Sequence, residues 1–490
     1  MGGYITKSTI ISSLIWRTIE NIGVQGIQFI VMIILARLIE PEDFGIITIL
    51  LIFVILANVV IQGGFNTALI QKKKIDELDL SSIFYLNMFI ASLLYILLYY
   101  TAPSISAYFE IPSATLILRI LSITLFLNAF NAIQNAIISR NMEFRKSFLS
   151  SIIAVLCSGV IGTIIAYLDF GVWALVWQQL SYQILFTVML FIFIKWKPKL
   201  LFSITRVKRL FSFGWKILIA SLIDVVEKNI RSLLIGKLFN TALLGFYSRG
   251  EQIPSLLVTN INGAIQSVLF PTLSSYQDDK KRVKELVRRA IVTSSFVIFP
   301  MMVGLAIIAE PLVALLLTEK WLPAVPFIQI FCAGYALWPI HTANLQAINA
   351  LGRSDIFLKL EIIKKLLGVV ILVASIPFGV YAVAISLVVG GVIASLINAF
   401  PNSKLLNYSI REQWNDVIPS LLLSIVMGAV IYPFHWLEIP ALLTIVVQVF
   451  VGIVIYIGLA ALFRLECFSY LLVTLKELLR NRRKMQLKVD

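Results

Sequence analysis

Charged side chains are scarce in this 490-residue chain: Asp, Glu, Lys and Arg together make up 14% of it, and histidine occurs twice. Soluble domains ordinarily carry about a quarter charged residues, so a soluble enzyme is excluded at the outset. Cysteine is equally sparse. Cys157, Cys332 and Cys467 lie far apart with no CxxC pairing, which gives neither a metal site nor a disulfide framework. His341 and His435 have no clustered partner of metal-ligand type, and no P-loop, nucleophile elbow or acidic loop motif appears. We therefore expect no catalytic residues, no bound metal and no cofactor. A small-residue cleavage site after a short apolar segment is also missing, so the first apolar run is expected to remain as a helix. The basic residues behind the net charge of +15 are scattered in short clusters between apolar runs, and a nucleic-acid partner is not expected.

What the chain has instead is apolar length. It is 59% hydrophobic, with a mean hydropathy of +0.92, and apolar runs of about twenty residues recur from end to end, each enough to cross a hydrocarbon core of ~30 Å. Breaks at charge, proline and glycine divide it into fourteen expected spans, the first near 13–37, the fourth near 114–138, the seventh near 211–236, the tenth near 326–350, the eleventh near 356–376 and the last near 439–462. Even-numbered loops and the C-terminal tail hold twenty-eight basic residues, whereas odd loops hold Arg37, Lys237, Arg249 and Lys320. That asymmetry places both termini in the cytoplasm. Residues 468–488 alternate leucines with Lys476, Arg480, Arg482 and Lys484, the pattern of an amphipathic helix on the cytoplasmic surface against membrane lipids.

The first six spans recur in the next six. Arg37-Leu38 with Gly45 returns as Lys237-Leu238 with Gly245, and Ile61-Gln62-Gly63 as Ile261-Asn262-Gly263, at an offset of 200. Asn131, Arg140, Phe144 and Lys146 return as Asn344, Arg353, Phe357 and Lys359 at 213, and Phe170-Gly171-Val172 as Phe378-Gly379-Val380 at 208. Six is even, so both copies enter from the same side and form a parallel repeat. The expected fold class is an all-α polytopic membrane protein of about 14 transmembrane helices, with two six-helix lobes around a central cavity plus two extra helices. The lobes are residues 1–210 and 211–400, helices 13 and 14 occupy 401–464, and 465–490 is the cytoplasmic amphipathic tail.

Ionisable groups within spans cost ~2.5–3.5 kcal/mol each on insertion scales, so each must line a cavity, find a partner or snorkel. The seventh span carries Asp224, Glu227, Lys228 and Arg231 at i, i+3, i+4, i+7, one face of a helix. Two neutralising pairs, Asp224–Lys228 and Glu227–Arg231, are one reading of that face; a lining for a hydrated cavity is the other. The first span carries Arg17 and Glu20, with Asn21, Gln25 and Gln28 further on. Arg119 sits near the outer end of the fourth span, and Glu361, Lys364 and Lys365 lie in the inner half of the eleventh, from where the lysines can snorkel. We take Arg17, Glu20, Arg119, Asp224, Glu227, Lys228, Arg231 and Lys364 as candidate substrate-binding residues. Cationic forks and amides together suit an anionic, polyhydroxylated cargo.

The stretches Leu35–Gly45, Gly63–Gln71, Ser139–Arg145, Gly245–Arg249 and Phe270–Ser274 together resemble bacterial polysaccharide and lipopolysaccharide flippases of the multidrug/oligosaccharidyl-lipid/polysaccharide (MOP) exporter superfamily, in the branch typified by the colanic-acid exporter. That resemblance implies alternating-access transfer of an undecaprenyl-diphosphate-linked oligosaccharide from the cytoplasmic to the outer leaflet of a bacterial inner membrane. It leaves H+ or Na+ as candidate coupling ions and a polysaccharide polymerase as a candidate partner. A multidrug cation antiporter of the same superfamily is the alternative; a polytopic glycosyltransferase or polymerase fits less well, because the outer loops are short.

Overall fold

The computed structural model of the chain describes residues 7–72, 75–437, 439–470 and 473. Among them the secondary structure is helical, and the expected surface helix over 468–488 falls mostly outside them. The first compact unit, Met1–Gly245, contains α1 (Lys7–Leu38), α2 (Pro41–Gln62), α3 (Phe65–Gln71), α4 (Glu77–Phe109), α5 (Ala114–Leu121), α6 (Thr124–Asn141), α7 (Phe144–Tyr167), α8 (Val172–Ile194) and α9 (Ile204–Leu238). Helix α10 (Thr241–Ser275) begins in this unit. The second unit, Phe246–Asp490, continues with α11 (Lys280–Leu316), α12 (Val325–Ala336), α13 (Trp338–Ala350), α14 (Ser354–Ser375), α15 (Val380–Leu405), α16 (Ile410–Ile431) and α17 (Ala441–Leu462). The lobe boundary expected between 210 and 211 falls inside α9, which by packing joins the first unit, lying against α2, α3 and α4.

Eleven helical stretches among the described residues are long and apolar enough to cross a membrane, so the chain is a multi-pass membrane protein. Helices α1, α9 and α14 are long but interrupted by charge, and they carry seven of the eight candidate binding residues. The fourth and tenth expected spans are each broken in two, α5/α6 and α12/α13, a matching break in each copy of the repeat. Arg249 corrects the loop count above: it lies inside α10 and is half-buried, while Arg37 belongs to the last turn of α1.

Local chemistry sets the ends of the helices. Pro41 occupies the first turn of α2, where its missing N–H costs nothing. Asp76 and Asp79 form a reciprocal capping box at the start of α4. Asp79, fully buried, also accepts from Lys72 and from Arg206 at 3.4 Å, tying the α3–α4 loop to the first turn of α9. Arg140 donates to the carbonyls of Leu69 (3.3 Å), Ile70 (3.4 Å) and Lys72, capping the C-terminal end of α3, where a cation is favourable. This gives the Ser139–Arg145 motif a structural task.

Glycine permits two close approaches. A Cβ on Gly45 would lie 1.8 Å from the Thr241 carbonyl oxygen, and one on Gly245 would lie 2.0 Å from that of Pro41. Residues 41 and 241, and 45 and 245, are equivalent at the offset of 200, so the N-terminal turns of α2 and α10 cross as a self-complementary pair. At the other end of α2, Gly63 and Gly64 adopt left-handed φ values of 49° and 69°, and the resulting elbow packs on the backbone of Gly214.

In the second unit, α11 packs against α12, α13, α16 and α17. A seam of ion pairs fixes that arrangement at one end: Lys284 to Glu412 (2.8 Å), Arg288 to Asp416 (3.0 Å) and to Glu466 (2.9 Å). Tyr408 donates to Asp416 at 2.7 Å, and burial followed by that carboxylate raises its pKa. Several basic residues that set the charge asymmetry are therefore held by carboxylates.

Candidate functional site

Helix α6 carries carboxamides at Asn128, Asn131 and Asn135, with Ser139 one turn on. The spacing i, i+3, i+7, i+11 puts all four on one face. In water such a face would be unremarkable; within a membrane-length helical stretch, unbonded amides are costly. The first unit meets this cost with a cavity of about 410 Å³. Its wall opposite α6 comes from Gln62 of α2, Asn66 of α3, and Tyr182, Gln183 and Phe186 of α8; Arg17, Glu20, Phe144 and Ser147 close the α1 and α7 side. These are the C-terminal parts of α2, α6 and α8 and the N-terminal parts of α1 and α7, so the cavity sits toward the end of the unit that carries the Arg140 and Arg145 loop.

Glu20 and Asp79 are the acidic residues buried among those described, and Glu20 is the one in the cavity. Its carboxylate accepts from the Ser147 hydroxyl and from Arg17 Nη1 at 3.1 Å. The Arg17 guanidinium, about half exposed, also lies 5.4 Å from the Phe144 ring centroid. The only two ionisable side chains of the lining other than the Tyr182 phenol thus neutralise each other. Gln183 donates to Asn128, and Asn131 Nδ2 donates to Thr187 Oγ1 at 2.9 Å. The buried amide oxygens of Asn66 and Asn131 meet no donor among the described residues. Tyr182 and Phe186 stack with 7° between their planes.

The repeat carries this face into the second unit with a different outcome. His341 and Asn344 of α13 stand at the offset of 213 from Asn128 and Asn131. There Asn344 donates to Gln413 (2.8 Å) and accepts from Asn402 (2.7 Å), and Asn398 pairs with His341 at 3.1 Å. Gln413 belongs to α16, which has no counterpart in the first six spans. With a helix added against it, the second copy links Asn344, Asn402 and Gln413 into one network, although the Asn398 and Asn402 side-chain oxygens meet no donor among the described residues.

Of the candidate residues, Arg17 and Glu20 come together at the cavity. Asp224, Glu227 and Lys228 are exposed on α9, Arg231 is half-buried with an unbonded Nε, and none of the four lines this cavity. Arg119 lies elsewhere, its guanidinium 4.0 Å from the Tyr99 ring centroid and its Nε donating to the Tyr99 carbonyl at 3.2 Å. Lys364 pairs with Glu361 at 2.6 Å within α14. The residues that charge-based reading missed are Asn128, Asn135, Gln183 and Tyr182; the helical spacing of the α6 amides was a visible signal.

Comparison with known proteins places this geometry. The Polysaccharide biosynthesis protein family matches residues 34–326. The succinoglycan biosynthesis transport protein ExoT of Rhizobium meliloti is 25% identical over 322 residues, 66% of this chain and 65% of that protein. The lipopolysaccharide biosynthesis protein WzxC of Escherichia coli is 24% identical over 394 residues, 79% of each. In fold, the chain resembles the lipid II flippase MurJ in an inward closed conformation, with a TM-score of 0.73 and 18% identity over 92% of this chain and 98% of that one. An all-helical MurJ-like fold, an amide-lined cavity in its first unit and a family match over more than half its length identify this chain as a member of the Polysaccharide biosynthesis protein family.

Proposed function

We propose that the protein is a flippase that moves a lipid-linked oligosaccharide, a polysaccharide repeat unit, from the cytoplasmic to the outer leaflet of a bacterial inner membrane. The observation that carries this reading is the cavity itself, whose amides and hydroxyls lie among membrane-length helices, a lining that suits a polar passenger. The names of the relatives, in succinoglycan and lipopolysaccharide biosynthesis and in lipid II flipping, agree with it.

In this reading the membrane domain has fourteen helices, α1, α9 and α14 included, arranged as two six-helix lobes with two helices added, and both termini are cytoplasmic. The reciprocal crossing of Gly45 and Gly245 supports a parallel repeat. The lobes rock about a central path to which α9 contributes Asp224, Glu227, Lys228 and Arg231, with Arg17 and Glu20 at the first-unit cavity and Arg119 and Lys364 as further candidates for contact with the cargo. H+ or Na+ supplies the coupling, and a polymerase consumes the product. No covalent chemistry is assigned to any side chain.

Deleting the gene and following undecaprenyl-diphosphate-linked oligosaccharide tests the reading. Accumulation on the cytoplasmic face, reversed by the intact chain, is expected. Normal surface polysaccharide with no accumulation, in a strain with no second flippase, contradicts it.

A further inference from the structure

The charge balance of the first-unit cavity points to what it grips. Only Arg17 and Glu20 bring full charge to its polar wall, and they are paired. What remains is carboxamide and hydroxyl, from Gln62, Asn128, Asn135, Ser139 and Gln183 among others. An ionised phosphate or carboxylate offers acceptors alone. In this cavity it would meet a cation already neutralised by Glu20, with no second full charge to receive it. A hydroxyl both donates and accepts, and the parallel Tyr182 and Phe186 rings offer apolar faces to the C–H side of a pyranose. The volume of about 410 Å³ falls in the range of small-molecule sites.

Resting on the flippase reading above, we propose that this cavity is a saccharide subsite for an uncharged sugar residue of the cargo, and that it discriminates against acidic sugars. The diphosphate lies outside it. The discrimination depends on Glu20: its carboxylate keeps Arg17 from acting as an anion receptor, and Ser147 holds it in place.

Methyl glucoside and methyl glucuronide share a ring and differ in charge, so they are suitable probes. Titrated into the full-length protein in lipid nanodiscs, with saturation-transfer NMR as readout, the glucoside should bind at least about tenfold more tightly. Asn135→Leu should weaken the glucoside about tenfold and leave the helical circular-dichroism spectrum unchanged. Glu20→Gln, which frees the Arg17 charge, should narrow or reverse the preference. Equal or tighter glucuronide binding by the unaltered protein overturns the proposal, as does a Glu20→Gln protein that folds with its preference unchanged. The deletion assay keeps the two readings apart: accumulation of lipid-linked oligosaccharide without a glucoside preference removes the subsite and leaves the flippase standing, and no accumulation removes the flippase.

Discussion

Gly45 and Gly245, 200 residues apart, each admit a backbone carbonyl into the space a side chain would fill, Gly45 that of Thr241 and Gly245 that of Pro41. The contact is backbone on backbone, so neither partner can move aside by changing a rotamer. Gly45→Val and Gly245→Val should each force the α2 and α10 ends apart, at an overpacking cost of at least about 2 kcal/mol. The expected result is lost surface polysaccharide in complementation, with protein still inserted in the membrane. Gly368→Ala, where nothing lies within 4 Å, should complement fully.

Asp79 is the structural counterpart of Glu20, a buried carboxylate outside the cavity. Asp79→Ala removes the partner of Lys72, one of the two carboxylates that hold Arg206, and one half of the α4 capping box. Buried pairs lose several kcal/mol when one side is removed. Here Lys72 and Arg206 are partly exposed, so a loss of about 2 kcal/mol is expected. Thermal unfolding in detergent should show a lowered Tm, and Asp79→Asn should recover the part that comes from the cap.

The Arg288–Glu466 pair makes a pH-dependent docking contact. Hydrogen bonding to Arg288 holds the Glu466 carboxyl below its ordinary value. A depressed carboxylate contributes stability above its unfolded pKa of about 4.3 and loses it as pH falls through the lower folded value. Hydrogen exchange in residues 463–470 should therefore quicken below about pH 4.3. Arg288→Gln should make exchange there fast at neutral pH as well and remove that acid step.

The two copies of the amide face should respond differently to the same change. Asn344→Leu takes the donor from the Gln413 side-chain oxygen and one of two acceptors from Asn402 in a closed interior, at about 1–3 kcal/mol for the orphaned oxygen. A marked fall in Tm is expected. Asn135→Leu borders a cavity and should hold its Tm within a degree or two while export falls.

The span order was legible because apolar length and loop charge are one-dimensional signals. Every expected span coincides with a helix or a broken pair, but the α5/α6 and α12/α13 breaks fall inside stretches that read as single spans. Charge was a poorer guide to the cavity. Lys364 settles onto Glu361 at i, i+3 on its own helix, whereas Arg119 settles over Tyr99, a partner on another helix that sequence spacing does not single out. The cavity wall is assembled from five helices beyond α6, far apart in sequence. Only its α6 face, Asn128 to Ser139, has a local period, and its neutrality follows from the Arg17–Glu20 pairing.

The central claim is most directly tested by reconstitution. Purified protein in proteoliposomes, loaded with a fluorescent undecaprenyl-diphosphate-linked oligosaccharide in one leaflet, should move it to the other. Protection from an externally added glycosidase reports the transfer, and Gly45→Val should abolish it. Transfer no faster than in protein-free vesicles, with the protein folded and a proton or sodium gradient applied in either direction, would contradict the account.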